Sequence, residues 1–330
     1  MTGTESVMLS LQVAEVRVLN SLVHCYRLRA EDGRVLPPYA PGAHIRVEVQ
    51  LPGGEQDWRH YSLINLSTDT QALKAPTEYV IAVRREDEGR GGSRYMHGLQ
   101  PGQVIRVASP KNEFPMSACN GQSVLLAGGI GVTPLMTMAA SCVARQQAVR
   151  MVYAGRERTG MAFTEELQAL LGPSLTLHVD AEAGGALDVD GLLDGCGAQD
   201  VLYVCGPQPM LNAVLEKTRA RGWARDRVHF EVFNAPVQQS GDHAFELVLA
   251  ASGKTLTVPA DKSILDVLID EGCDPLYDCQ RGECGVCAVT FQEGEVDHRD
   301  YVLSDKEKQT GHVMHPCVSR CKGARLVLDL

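Results

Sequence analysis

No stretch of the 330-residue chain approaches the roughly 18 consecutive apolar residues that a membrane-spanning helix requires. The opening MTGTESVMLSLQV also lacks the basic start and apolar core of a secretory signal, so a cytoplasmic location without a membrane partner is expected. Positive charge is not in excess either. Against 31 Lys and Arg stand 41 Asp and Glu, for a net charge of −10. No global field would gather phosphate backbones, and nucleic acid is not an expected partner. Internal repeats and low-complexity tracts are missing too, which removes solenoid architectures. What remains has a globular balance, 44% hydrophobic and 22% charged, over a length that suits two or three compact cores.

The pattern changes twice along the chain. Over residues 1–118, short runs alternate apolar and polar, as in HIRVEV, EYVIAV and QVIRVAS, with Pro and Gly turns at PPYAPGAH, LPGG and QPGQ. That predicts an antiparallel β-barrel. Over 119–233, apolar strands are each followed by a helical stretch: SVLLAGG by TPLMTMAASCVARQ, AVRMVYAGR by FTEELQALL, QDVLYVCGP by PMLNAVLEKTRARG. Repeated strand–helix units predict a parallel sheet in an α/β domain. Residues 234–243, NAPVQQSGDH, read as a linker. Residues 244–330 then predict a small α+β module with a hairpin, one helix, a cysteine-rich loop and the closing strand RLVLDL.

Seven of the eleven cysteines are scattered singly and four have metal-ligand spacing. Cys279, Cys284 and Cys287, in YDCQRGECGVCAV, precede Cys317 at intervals of four, two and twenty-nine residues, the spacing of plant-type [2Fe–2S] ferredoxins. Thiolates are soft ligands suited to such clusters, and Gly282 and Gly285 let one loop fold around a cluster. A structural zinc site is the alternative, although zinc usually takes two close CxxC pairs and the second pair is missing. Cys321, four residues beyond Cys317, is a rival for the fourth position. Cys25, Cys119, Cys142, Cys196, Cys205 and Cys273 read as small buried hydrophobes.

VLLAGGIGVTPL, residues 124–135, runs from an apolar strand through Gly128, Gly129 and Gly131 to Thr133 and Pro134 at a helix start, where Pro is favoured. A strand, glycine turn and helix N-terminus together suit a pyrophosphate. The GxGxxG fingerprint is absent, so a purely structural turn stays open. The second turn, VCGPQPM, puts Cys205, Gly206, Pro207 and Met210 at the same sheet edge and outlines a cleft with the first.

Two weaker signals lie in the barrel. RHYSL places Arg59 and Tyr61 on one strand face, next to Ser62. In AVRREDEGRGGSRYMH, Arg84 ends a strand and Gly91, Gly92 and Ser93 form a nest of N–H groups with a hydroxyl, as a phosphate site would. By residue type alone, an ordinary edge strand and a solvated loop serve as well.

Taken in order, HYSL, YVIAVRRE, GRGGS, NEFP, LLAGGIGVTP, CGP, HFEVF, CQRGECGVC, EVDHRDYVLSD and LVLDL resemble the ferredoxin–NADP⁺ reductase superfamily. Within it they resemble the phthalate dioxygenase reductase type, which includes the reductases of vanillate O-demethylase and of carnitine-type Rieske monooxygenases. The resemblance covers nearly the whole chain and departs from the family's pattern at Cys321 and Val286.

It implies an FMN-binding barrel, an NAD-binding α/β domain and a C-terminal [2Fe–2S] ferredoxin. In that arrangement Arg59, Tyr61 and Ser62 form the flavin motif, with Tyr61 on the ring and Ser62 near its N5. Arg84, Gly91, Gly92 and Ser93 would contact phosphate and ribityl, and Glu231 and Phe233 would border the nicotinamide side. FMN is expected over FAD because an adenine-contacting segment is not seen. After the second strand of the α/β domain, Gly155, Arg156, Glu157 and Arg158 offer both an acid for ribose hydroxyls and arginines for a 2′-phosphate; the resemblance favours NADH. The implied function is the reductase component of a two-component Rieske-type oxygenase. Hydride would pass beside Ser62, Thr133, Cys205 and Phe233, and electrons would leave singly through the cluster. No side chain would act as acid or base. A plain flavin reductase and a zinc-stabilised, non-enzymatic adaptor remain the competing readings.

Overall fold

The computed structural model describes residues 7–69, 71–233, 239 and 241–330. They form two compact units, the first ending at Glu231 and the second starting at Val232. Of the stretch 234–243 expected as a linker, residues 234–238 and 240 lie outside the described residues. Among the described residues no helix is long and apolar enough to cross a membrane.

The first unit opens with β1 (Met8–Val18), β2 (Val23–Arg29), β3 (His44–Gln50), β4 (Gln56–Ser62), β5 (Tyr79–Arg84), the short helix α1 (Gly92–His97) and β6 (Val104–Lys111). The strands pair antiparallel in the order β4-β3-β6-β1-β2-β5. Strand alternation sends every second side chain inward, so Leu9, Leu11 and Val13 of β1 meet Tyr26, Ile45, Val47 and Ile81 in one core. This is the antiparallel barrel the alternating runs predict.

Within the same unit a parallel sheet follows: β7 (Ser123–Gly128), α2 (Val132–Ala144), β8 (Val149–Gly155), α3 (Thr164–Leu171), β9 (Leu175–Val179), the short helices α4 (Asp180–Ala183) and α5 (Val189–Asp194), β10 (Val201–Cys205), α6 (Gln208–Ala220) and β11 (Val228–Glu231). The order β11-β10-β7-β8-β9 puts β7 in the middle, and every residue of β7 and of β10 is buried, as strands covered on both faces require. Barrel and sheet are joined by side chains far apart in sequence. The Tyr203 hydroxyl on β10 accepts from Ser117 N at 2.8 Å, and the Ser117 hydroxyl lies 3.0 Å from His229 Nε2 on β11. Gly42, at φ +88°, leaves no room for a Cβ, which would stand 1.9 Å from the Phe114 carbonyl oxygen and 2.9 Å from Met138 on α2.

The second unit contains β12 (Phe245–Leu249), β13 (Lys254–Val258), α7 (Ile264–Asp270), β14 (Val289–Glu293), β15 (Val296–Asp297), α8 (Asp305–Thr310), β16 (Val313–Met314), β17 (Arg320–Cys321) and β18 (Arg325–Leu328). Its main sheet runs β13-β12-β18-β14-β16, with β12 parallel to β18 and antiparallel to β13. Helix α7 starts at a capping box in which Ser263 accepts from Asp266 N and the Asp266 carboxylate accepts from Ser263 N. Its Ile264, Val267 and Leu268 pack on the sheet. A buried ionic knot closes the module. Arg320, 6% exposed as a side chain, donates to the carbonyls of Lys262, His243 and Pro259 and lies 3.7 Å from Asp242, which also accepts from Arg299 at 3.1 Å.

Candidate functional site

In the parallel sheet, β8 and β9 lie on one side of β7, and β10 and β11 on the other. The strand order therefore reverses between β7 and β10, where open α/β sheets bind ligands at the carboxyl edge. Both predicted glycine turns sit there. Gly129 has φ +54°. A Cβ on Gly128 would fall 2.5 Å from Pro207 and 2.9 Å from the Met210 methyl, and one on Gly131 would fall 2.3 Å from the Cys205 carbonyl oxygen. The two turns are pressed together backbone to backbone, which only glycines allow.

After a 3₁₀ turn over Gly129–Gly131, α2 begins at Val132, one residue before the predicted Thr133, with Pro134 in its first turn. Thr133 is buried and its hydroxyl donates to Ile130 O at 3.0 Å. Cys205 is fully buried. At the end of β8, Arg156 and Glu157 are exposed, while Arg158 makes a two-pronged ion pair with Glu182, at 2.8 and 2.7 Å.

In the barrel, β4 ends at Ser62, which is buried with a hydroxyl that has no hydrogen-bond partner among the described residues. A buried orphan hydroxyl is costly unless something polar meets it, so the position fits a residue that contacts a polar ring atom. Tyr61 packs against the barrel core, and burial pushes its phenol pKa up. Arg59 donates to Asp57 at 2.6 Å and lies flat on α1's first residue; a Cβ on Gly92 would come 2.7 Å from its Nε. Gly91 has φ +104°. Arg59 and the Gly91–Gly92 backbone, separate in the sequence, thus form one patch with the chemistry of a phosphate cradle, beside a cleft of about 440 Å³ lined by Gln50, Pro52, Gly91, Arg94 and Tyr95. Arg84 pairs with the Glu86 carboxylate, and the Ser93 hydroxyl accepts from Glu86 N at 2.9 Å. Glu231 is buried at the end of β11, and Phe233, half-buried, is the second residue of the following unit.

In the second unit the four predicted cysteines come together two by two. Cys287 and Cys317 have sulfurs 3.2 Å apart, and Cys279 hydrogen-bonds with Cys284. In each pair one thiol, Cys279 or Cys287, is pushed toward thiolate, chiefly by its hydrogen-bond contact with the partner sulfur. Cys284 and Cys317 are pushed up by contact with the partner sulfur and by burial. Among the described residues no three His, Cys, Asp or Glu side chains gather where a single metal ion would bind. Two separate thiol pairs fit the two irons of a [2Fe–2S] cluster, whereas a zinc site needs all four sulfurs in one tetrahedron.

The loop carrying them depends on left-handed backbone at Gln280, Gly282 and Gly285, and Arg281 N donates to Cys279 Sγ at 3.3 Å. Cys321 is excluded from this set. It lies in the hydrophobic core with Val296 and Leu326 and donates to Arg325 O.

Sequence reasoning missed the supports of this loop. Arg281 and Glu283 form a buried ion pair at 2.9 Å, and Glu283 also accepts from Val232 N at 2.8 Å. Asp300, with a fully buried carboxylate, faces His315 at 3.5 Å and Lys308 at 3.8 Å and accepts from Val302 N and Leu303 N. Burial opposes its charge, but His315, the Leu303 N–H and Lys308 outweigh it and hold the carboxyl at about 2. The sequence signal for either group was no more than charged residues close to the predicted ligands.

Residues 125–216 match the oxidoreductase NAD-binding domain family and residues 248–322 the 2Fe-2S iron-sulfur cluster binding domain family. The chain is 40% identical over 320 residues to a protein named putative toluene-4-sulfonate monooxygenase system reductase subunit TsaB2 from Comamonas testosteroni, covering 96% of this chain and 98% of that one. It is 36% identical to vanillate O-demethylase oxidoreductase from a Pseudomonas species, covering 98% and 100%. Among solved structures, that of phthalate dioxygenase reductase, described as modular for electron transfer from pyridine nucleotides to [2Fe–2S], superimposes with a TM-score of 0.74 at 35% identity over 98% of each chain.

Proposed function

The chain belongs to the phthalate dioxygenase reductase family, and from that premise we propose that it oxidises NADH on FMN and passes single electrons through its [2Fe–2S] cluster to a Rieske-type oxygenase. The observation that carries this reading is the two-and-two pairing of Cys279 with Cys284 and of Cys287 with Cys317, downstream of a switch-point crevice with two interlocked glycine turns. When bound, the flavin accepts a hydride as an electron pair and the cluster carries one electron at a time.

The protein's share is positioning. Backbone N–H groups at the start of α2 and the close-packed turns at Gly128–Gly131 and Cys205–Met210 would receive the dinucleotide. Arg59 with Gly91 and Gly92 would hold the flavin phosphate, Tyr61 would face the ring, and the buried Ser62 hydroxyl would supply a hydrogen bond to a polar ring atom. Hydride transfer moves no proton to or from the protein, so the crevice needs no acid or base. Its buried Thr133 and Cys205 serve by shape and by excluding water. Around Cys279, Cys284, Cys287 and Cys317, backbone donors such as Arg281 N tune the ligand sulfurs.

Anaerobic mixing of the NADH-treated protein with a purified Rieske-type oxygenase tests the partner. Bleaching of the oxygenase's visible spectrum at catalytic amounts of this chain is expected. Release of free reduced flavin, with no reduction of the oxygenase in a flavin trap, would overturn the reading.

A further inference from the structure

We propose that Thr137 is a positioning residue for hydride transfer, its hydroxyl bolting the end of the barrel strand β4 to helix α2. The inference rests on the reading that Ser62 and Thr133 border the reacting centre. Thr137 lies one turn after Thr133, so both project from the same face of α2. It is 1% exposed.

Threonines inside helices usually return their hydroxyl to their own backbone. Thr133 does so with Ile130 O, Thr218 with Val214 O and Thr310 with Lys306 O. Thr137 does not. Its Oγ1 donates to Leu63 O at 2.8 Å and accepts from Asn65 N at 2.8 Å, partners 74 and 72 residues away in sequence. Leu63 N donates to Ala43 O and Ile64 N to Val80 O. The backbone just after Ser62 is therefore tied to two barrel segments and to α2 at once. This hydroxyl bonds the Ser62 end of the barrel directly to α2, and a transferring pair tolerates little error in that distance: roughly 1 Å of misplacement costs about 100-fold in rate.

The test compares Thr137→Val, which keeps the shape and loses both bonds, with Thr137→Ser, which keeps them. In T137V, anaerobic flavin bleaching by saturating NADH should slow roughly 10- to 100-fold while the dissociation constant for NAD⁺ changes less than about threefold, because the pyrophosphate turns are untouched. Independently of activity, amide hydrogen exchange over residues 63–66 should accelerate in T137V and stay near wild type in T137S, which should also recover the bleaching rate. If T137V does not fold, Thr137→Ala takes its place in the same comparison.

A folded, flavin-loaded T137V or T137A that bleaches at the wild-type rate overturns the inference. A wild-type protein whose flavin NADH does not bleach overturns instead the reading of the site.

Discussion

Replacing Gly131 by Ala isolates close approach from every other glycine effect. Its backbone, at φ −60° and ψ −5°, is one that alanine adopts freely, so no conformational strain arises. The added methyl, however, would stand 2.3 Å from the Cys205 carbonyl oxygen, 2.5 Å from its carbon and 2.8 Å from Gly206 N, where ordinary contact begins at 3.4 Å. All three atoms are backbone and cannot rotate aside, so the two turns must separate by about 1 Å. Overpacking of this kind costs about 1–3 kcal/mol of stability. A displacement of that size at a transfer site costs about 100-fold in kcat/KM for NADH. Gly160 provides the control, since it has no heavy atom within 4 Å of an added Cβ; G160A should behave as wild type. Melting temperature and stopped-flow anaerobic reduction read the two effects separately. A G131A protein with unchanged melting and kcat/KM within twofold of wild type would refute the interlocked-turn account.

Three further outcomes are expected. Cys284→Ser should leave NADH oxidation by ferricyanide largely intact and abolish cytochrome c reduction; survival of both activities would mean electrons do not leave through the cluster. Arg320→Met should destabilise the second unit by about 2–4 kcal/mol, because it leaves three carbonyls without their donor and removes a positive charge beside the buried Asp242 carboxylate; chemical denaturation of the full chain measures this, and a loss below about 1 kcal/mol would contradict it. Asp242, held at about 2 chiefly by hydrogen bonding from Arg299, against 3.8 when free, has a folded pKa below its unfolded one. Its stabilisation is therefore complete above about pH 4 and is lost as pH falls through 2, and Asp242→Asn should flatten that acid limb; an unchanged slope would deny the ion pair its role.

How much of this was legible depended on how local each signal is. The ferredoxin spacing and the glycine turns were readable because one loop supplies three ligands and one strand end supplies the turn, so their chemistry is written in consecutive residues. The spacing alone left zinc open; what separates the cases is that the sulfurs pair two and two, a fact of three dimensions. Cys321 shows the converse, since four residues from Cys317 in sequence put it in the core of the module, bonded to Arg325 O. The barrel motifs were weaker because Arg59 meets Gly92 only after β4 and α1 have packed, and the sequence gives no sign that Glu86 engages both Arg84 and Ser93. Nothing around Thr137 distinguishes it from any helical threonine, yet its hydroxyl links the barrel to the parallel sheet within a single unit. Long-range polar contacts of this kind leave no periodicity to read.

The central claim is an electron path from NADH through flavin to cluster, and it is tested most directly by the absorption spectrum of the purified protein before and after anaerobic NADH, with released flavin identified by chromatography. A red-brown protein is expected, with overlapping flavin and cluster bands that bleach together and one equivalent of FMN released. A colourless or purely yellow protein after anaerobic preparation would contradict it.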